Sequence, residues 1–395
     1  MSGTAPLVRA PGPAPSVGLL FSVAKASMFV FGIVMALVGA VVPALGTTMS
    51  ITLGNVGTLF LAMNAAMLAA SLVVGLMMDR GGLKVPLTGG AILVAVGLVL
   101  IGRASHYAAL LPAVACLGLG GGALNTGANT LVNDLHDDEA RKASALNLLG
   151  VFFGFGALVL PFGIGVLTMR LGVSSLLAAA AALCVGLSLA AAALRFPAPK
   201  QRHEWALAAL PRFARLSVVR TVALLLFFQS GNEFLLGGYI AAFLTREMGL
   251  TVAAASYGLA TYWAAMILAR GVLSRLLLRA STWVVVLAGA LVAALGAVVV
   301  AVSPSATVAI AGTTLSSLAL AGIFPCVLGL IGARFREHSG TVFGLLFTVA
   351  LCGGMTIPWV AGHLAEAAGL RSVFVLAAVN FAAVALLSIL ARRRM

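Results

Sequence analysis

The residues with the clearest chemical potential lie in the stretch 224–243, which reads LLLFFQSGNEFLLGGYIAAF. Glu233 stands near its middle, with Gln229, Ser230 and Asn232 beside it. An apolar run of about 20 residues is long enough to cross a bilayer as a helix. A carboxylate at the bilayer centre costs at least about 2.5 to 3.5 kcal/mol, so it must face a protein interior or a watery cavity. This cluster is therefore predicted to line a site inside a membrane protein.

The composition supports a membrane protein. Of 395 residues, 62% are hydrophobic and 9% are charged, whereas soluble domains have roughly 45 to 50% apolar and about 25% charged residues. The net charge is +14, but Lys and Arg separate apolar runs instead of clustering on one soluble face, so no nucleic-acid partner is predicted. We find no Ser/His/Asp, Cys/His, metal-ligand or nucleotide-binding pattern. Neither an enzyme nor a bound cofactor or metal is expected.

Twelve apolar runs have the length of a spanning helix and lie between charged or turn-rich breaks. They predict an all-α protein with spans at 17–45, 54–78, 85–102, 107–131, 145–169, 174–194, 218–243, 252–277, 283–302, 307–332, 341–365 and 373–390. The domains that follow are a disordered tail (1–16), a six-helix bundle (17–195), a linker with an amphipathic helix (196–217), a second bundle (218–391) and a basic tail (392–395).

The positions of Lys and Arg predict the orientation. If the amino terminus is inside, the outer loops hold only Arg103, Arg170, Arg246 and Arg371, and the remaining basic residues face the cytoplasm, where such residues accumulate. Both termini are therefore predicted to be cytoplasmic. We expect a monomer in the lipid bilayer of a bacterial inner membrane.

The two predicted bundles resemble each other in sequence, which indicates an internal repeat. In the predicted fifth span Pro161 and Gly165 follow a Leu-Leu pair, and in the eleventh Pro358 and Gly362 follow another at identical spacing. Such internal repeats are typical of transporters that hold a substrate near the midplane, between their halves.

The segment GLMMDRGGLK, which contains Gly75, Asp79, Arg80, Gly82 and Lys84, follows the second predicted span. It resembles the signature that major facilitator superfamily transporters carry between their second and third helices. In that family the glycine allows close helix packing, and the charged residues latch the cytoplasmic ends of the two bundles in the outward-facing state. The resemblance implies two pseudo-symmetric six-helix bundles and alternating access.

The equivalent place in the second half, 269–279, is a degenerate copy that keeps Arg270 and Arg275 but has no acidic residue. Arg270 lies about one turn inside the predicted span. It can pair with an acidic loop residue, cap carbonyl groups as part of the gate, or contact the substrate.

Three shorter stretches resemble one branch of that superfamily. They are GLGGGALNTGANTLVND (118–134), ALNLLGVFFGFGALVLP (145–161) and GNEFLLGGY (231–239), and together they are similar to the fucose, galactose and glucose proton symporters. That resemblance implies uptake of a sugar with protons. One departure is clear: fucose symporters use acidic residues in the first and fourth helices, whereas here the first has none and the fourth offers asparagines.

A hydroxylated solute needs paired donors and acceptors together with an aromatic surface. Side chains of both halves can supply these, namely Asn125, Asn129 and Asn147 in the first and Gln229, Asn232, Tyr239, Tyr262 and Trp263 in the second. The alternative is helix-to-helix hydrogen bonding, which contributes only about 0.6 kcal/mol on average in membranes.

Three interpretations of Glu233 remain open: a proton site, a contact for a polar or cationic substrate, or a partner of a buried base such as Lys25. The leading hypothesis is a secondary transporter that takes up a small polar solute, a sugar or polyol-like compound, with protons. A proton-coupled exporter of drugs or metabolites is the alternative. A non-transporting receptor or scaffold on the same fold is a third possibility.

Overall fold

The computed structural model describes residues 16–136, 139–197, 211–276, 281–335 and 339–395. These residues form helices and contain no strand. The long helices are α1 (Val17–Met49), α2 (Leu53–Gly81), α3 (Lys84–Arg103), α4 (Tyr107–Leu135), α5 (Glu139–Ala193), α6 (Ser217–Arg246), α7 (Val252–Leu276), α8 (Thr282–Ala301), α9 (Ala306–Leu320), α10 (Ile323–Arg334), α11 (Ser339–Ala368) and α12 (Arg371–Arg394).

Eleven segments of this described part are long and apolar enough to cross a membrane. Helix α5 supplies two of them because Gly172, with a φ of 71°, interrupts it. Helices α9 and α10 together supply one, Ala306–Arg334. Helix α6 is not among the eleven, since the polar cluster around Glu233 lowers its hydropathy, but it has 30 residues. Counting α6, each of the twelve predicted spans has a helix.

The termini and the linker are described only in part. Except for Ser16, the predicted tail 1–16 lies outside the described residues, as does 198–210 of the linker. Residues 211–215 are helical, and the Phe213 ring packs 5.9 Å from that of Phe335. The expected basic tail at 392–395 instead continues helix α12 as far as Arg394. The Arg394 guanidinium donates to the Ser217 carbonyl oxygen and the Thr221 hydroxyl at the start of α6.

The two halves repeat one packing pattern. Helix α1 packs on α5 in the first half, as α6 packs on α11 in the second. Gly156 of α5 lies so close to α1 that a Cβ would come 1.8 Å from the Phe29 carbonyl oxygen. Gly353 of α11 lies equally close to α6, where the corresponding distance to the Phe227 carbonyl oxygen is 1.9 Å. Close backbone contact therefore joins the equivalent helices of both halves.

The halves meet along four helix pairs, α1 with α6, α1 with α7, α2 with α11, and α5 with α7. We call the end of the molecule where α1 begins and α12 ends the termini face, and the other end the opposite face. Backbone contacts between the halves lie toward the opposite face, where Gly39 meets the backbone of Gly237 and Gly57 that of Trp359. Gly165 meets the ring of Tyr257 at this face, and Gly154 meets the Ile267 side chain nearer the middle of the span. Toward this face the halves are joined.

Apart from the exposed Arg246 at the carboxyl end of α6, the exposed described residues of the central helices α1 and α6 lie toward the termini face. In α1 the exposed residues before its carboxyl end are Val17, Gly18, Leu19 and Ser22. Leu224, two turns into α6, is 45% exposed, whereas every residue from 225 to 244 is buried or half-buried. The structure is thus closed at the opposite face and opens toward the termini face.

Candidate functional site

The candidate site is built around the carboxylate of Glu233, in the middle of α6. Glu233 is half-buried, whereas its neighbours Asn232 and Phe234 are 0% and 6% exposed. Its backbone carbonyl accepts a hydrogen bond from the Tyr262 hydroxyl at 3.2 Å. Within the described part of the chain, no hydrogen bond to its carboxylate is found. A carboxylate in mid-span faces either the interior of the bundle or a polar space.

The charged group that acts on Glu233 is Arg270 of α7, whose guanidinium is near enough to attract the carboxylate electrostatically, although no direct ion pair between them is found in the described residues. The guanidinium carbon of Arg270 lies 5.8 Å from the centre of the Phe153 ring, which belongs to the first half. The Nε atom of Arg270 is buried and has no hydrogen-bond partner in the described residues. Lys25, the base suggested by the sequence, instead lies over Phe21, 5.0 Å from the ring centre.

Aromatic side chains from both halves surround this charge pair. The Trp263 ring packs 5.1 Å from Tyr262 and 6.2 Å from Phe153, and Phe153 in turn packs 5.5 Å from Phe31 of α1. The buried indole nitrogen of Trp263 has no hydrogen-bond partner among the described residues, although buried Trp N–H groups usually find one. The site thus offers the Glu233 carboxylate, the Arg270 guanidinium, two donors without a partner in the described residues (Trp263 Nε1 and Arg270 Nε) and aromatic surfaces.

Gln229 and Asn232 face helices of their own half. Gln229 Nε2 donates to the Leu320 carbonyl oxygen at 3.3 Å, where α9 ends, while its Oε1 is buried without a partner in the described residues. Asn232 Nδ2 donates to the Ala377 carbonyl oxygen of α12 at 3.2 Å, and its Oδ1 accepts from Asn380 Nδ2 at 3.1 Å. Asn232 therefore makes the helix-to-helix hydrogen bonds that were the alternative to substrate binding.

Tyr239 lies two turns further along α6 and closes the opposite face. Its buried hydroxyl donates to the Pro358 carbonyl oxygen of α11 at 2.8 Å and lies 3.4 Å from the Leu53 carbonyl oxygen of α2. It joins the two halves away from the Glu233 carboxylate.

The predicted asparagines of the first half form a separate group. Asn129 Nδ2 donates to the carbonyl oxygen and the side-chain oxygen of Asn125, at 2.8 and 3.0 Å, and lies 4.0 Å from the Met28 sulfur of α1. Asn147 is exposed near the start of α5. None of these contacts joins the asparagines to Glu233.

The gate-like segment is described only in part. Gly82 follows the end of α2 with a φ of 77°, and its N–H donates to the Met78 carbonyl oxygen. The exposed Lys84 begins α3. A Cβ at Gly75 would meet nothing within 4 Å, so this glycine makes no close helix contact in the present conformation. Asp79 and Arg80 lie in α2, but their side chains, like that of Arg275, are outside the described residues.

Sequence reasoning missed the pairing of Glu233 with Arg270 and the contribution of Phe153. One signal was available, since Trp263 and Arg270 are seven residues apart and therefore lie on one face of α7. No comparable signal in the sequence points to Phe153, because it stands in an aromatic run with Phe152 and Phe155.

Comparison with known protein families identifies the family of this chain. A family model of the Major Facilitator Superfamily matches residues 26–221 and again 222–395. The chain belongs to the Major Facilitator Superfamily. The predicted fold, all-α with twelve spans in two six-helix bundles, is confirmed. Membership of this superfamily indicates an integral membrane transporter of small molecules and not an enzyme.

Solved superfamily transporters share the fold at low sequence identity. A bacterial homolog of the human lysosomal transporter Spinster, in an inward-facing and unoccupied conformation, superposes with a TM-score of 0.80 at 18% identity, covering 97% of this chain and 98% of that one. The nucleoside transporter NupG gives 0.78 at 13%, covering 95% and 100%. The E. coli fucose:proton symporter FucP gives 0.68 at 21%, covering 95% and 98%. These likenesses establish the fold.

Among curated proteins, a probable vesicular acetylcholine transporter-A from Danio rerio is 28% identical over 107 residues. The match covers 27% of this chain and about a fifth, 21%, of that protein.

Proposed function

We propose that this superfamily transporter moves a small polar solute, a sugar or polyol-like compound, together with protons. The observation that carries the proposal is the carboxylate of Glu233 in the middle of α6, which lies within electrostatic reach of the Arg270 guanidinium. A charged side chain within a membrane span costs several kcal/mol, so its presence there indicates a functional site.

Glu233 serves as the proton site. With the carboxylate ionised, the pair formed with Arg270 carries no net charge; when Glu233 binds a proton, the pair becomes positive. Protonation therefore changes the electrostatics of the central site by one full charge, and the response of the neighbouring helices to this change couples the proton to the solute.

The solute lies between the halves, against the aromatic rings of Trp263 and Phe153. A sugar presents an apolar face to such rings and hydroxyl groups to donors and acceptors. The unpaired indole N–H of Trp263 and the unpaired Oε1 of Gln229 can serve those hydroxyls if the solute or water reaches them. A fold shared with a fucose:proton symporter is compatible with this substrate class. Asn125, Asn129 and Asn147 extend the polar path in the first half.

The termini face is the cytoplasmic side, because basic residues accumulate in cytoplasmic loops. The conformation is then inward-open, in a bacterial inner membrane. The segment with Asp79, Arg80, Gly82 and Lys84, together with Arg275, forms the cytoplasmic gate of the alternating-access cycle.

The test is uptake of labelled hexoses into proteoliposomes, with and without an inward proton gradient. We expect gradient-driven accumulation, and we expect Glu233→Gln to abolish it while hexose exchange without a gradient continues. The matched control is Glu247→Gln, which removes an exposed carboxylate just beyond the other end of α6. Accumulation that survives Glu233→Gln at the level of the control would remove this carboxylate from coupling.

A second candidate is proton-coupled export of an organic cation. It is favoured by the same carboxylate among aromatic rings, since such rings attract cations. Assays with a quaternary ammonium compound in place of hexose, under a gradient that is acidic inside the vesicle, distinguish the two. Accumulation of the cation without hexose uptake supports export.

A further inference from the structure

Helices α2 and α11 belong to different halves and pack against each other in antiparallel directions. The end of α11 therefore lies beside the start of α2 at the opposite face. There Glu366 Oε1 of α11 accepts a hydrogen bond from the Gly54 N–H at 2.9 Å. The Thr52 side chain bonds to the same carboxylate. The first N–H groups of a helix have no partner within it, and here the other half supplies one.

The contact depends on a small residue at the start of α2. A Cβ at Gly54 would come 2.7 Å from Glu366 Oε2, so a larger residue would displace the carboxylate. Two further bonds between the halves lie close by: Arg246 Nη2 donates to the Ile51 carbonyl oxygen at 2.7 Å, and the Tyr239 hydroxyl lies 3.4 Å from the Leu53 carbonyl oxygen of α2.

At the other end of the same helix pair, α2 also carries an acidic residue in its last turn, Asp79. Because the two helices are antiparallel, this turn and the start of α11 at Ser339 belong to the same end of the pair. A negative charge near a helix amino terminus is stabilising.

We propose that Glu366 is the latch of the opposite face and the inverted counterpart of Asp79. The two latches form in alternation: Glu366 holds the opposite face closed while the termini face is open, as in this structure, and releases α2 when the termini face closes. This inference rests on the proposed alternating-access transport and identifies a residue that regulates its access.

The test measures the opening of the opposite face directly. Spin labels at Ser105→Cys and Val302→Cys, exposed positions on the two halves at that face, are introduced into a cysteine-free background and the distance between them is measured in lipid nanodiscs. Glu366 is exposed, and the loss of an exposed charge at a helix amino terminus should raise the ratio of open to closed molecules only about 2- to 5-fold. We therefore expect Glu366→Gln to increase the long-distance population, and Thr52→Val to increase it less.

Two controls set the scale. Glu247→Gln removes a carboxylate at the same face without affecting α2 and should leave the distances unchanged, whereas Asp79→Asn should shift the population toward the closed opposite face. A Glu366→Gln distribution equal to that of Glu247→Gln would overturn the latch. The distance measurement needs no substrate, so the two proposals can fail separately. A shift in the distances without hexose transport would support the latch and refute the proposed function. Hexose transport without a shift would support the proposed function and refute the latch.

Discussion

Gly353 allows α11 to lie against α6, the helix that carries Glu233, and its replacement by Ala has a predictable cost. The added Cβ would come 1.9 Å from the Phe227 carbonyl oxygen, whereas carbon contacts are optimal near about 3.5 Å. The helices must therefore separate by more than about 1 Å. Overpacking of this kind costs about 1 to 3 kcal/mol, against about 1 kcal/mol gained because Ala favours a helix more than Gly.

The matched control is Gly344→Ala on the same helix, where a Cβ would meet nothing within 4 Å and only the gain in helix propensity applies. We expect the thermal unfolding midpoint of purified Gly353→Ala to fall several degrees below that of Gly344→Ala, at about 2 to 4 °C per kcal/mol for a half of this size. Gly156→Ala should behave like Gly353→Ala, because the two positions are equivalent. Equal midpoints for Gly353→Ala and Gly344→Ala would refute the close packing of α6 on α11.

Two further predictions test the placement of polar and accessible residues. Asn232→Leu should lower stability by about 0.6 to 1.7 kcal/mol, the range found for hydrogen bonds between membrane helices. In a double-mutant cycle with Asn380→Leu, measured by thermal unfolding, the double variant should lose less stability than the sum of the two single losses. Strictly additive losses would contradict the Asn232–Asn380 hydrogen bond. In a cysteine-free background, Leu224→Cys should react with a water-soluble maleimide from the termini face, while Leu235→Cys on the same helix, 0% exposed, should be protected; an unreactive Leu224→Cys would mean that lipid and not water covers this position.

The spans could be predicted because each must match the bilayer thickness, so length and the spacing of charges suffice. The repeat also has a structural counterpart. Gly165 of α5 lies against Tyr257 of α7, and Gly362 of α11 lies against the Leu53 carbonyl oxygen of α2, so both equivalent glycines contact the other half. The break between the two spans of α5 falls at Gly172, whose φ is 71°, within the loop predicted between the spans at 145–169 and 174–194.

The site was predictable only in its central residue. Gln229, Asn232 and Glu233 are near neighbours in sequence, but successive helical residues point about 100° apart, so they face α9, α12 and α7 in turn. Sequence alone does not give the rotation of α6 in the bundle, because that rotation is set by packing against α11 and α12. For the same reason, the sequence pattern did not identify Arg270 as the group opposite Glu233.

The position of Phe153 links the charge pair to the movement of the halves. Glu233 and Arg270 both belong to the second half, so rocking of one half against the other leaves their separation unchanged. Phe153, which lies over the Arg270 guanidinium, belongs to the first half and must move relative to the pair. Because an aromatic face attracts a guanidinium by up to about 2 kcal/mol when desolvated, removing it makes Arg270 depend more on the carboxylate. On the proposed mechanism, the conformation of the transporter alters the electrostatic environment of Glu233 through this change.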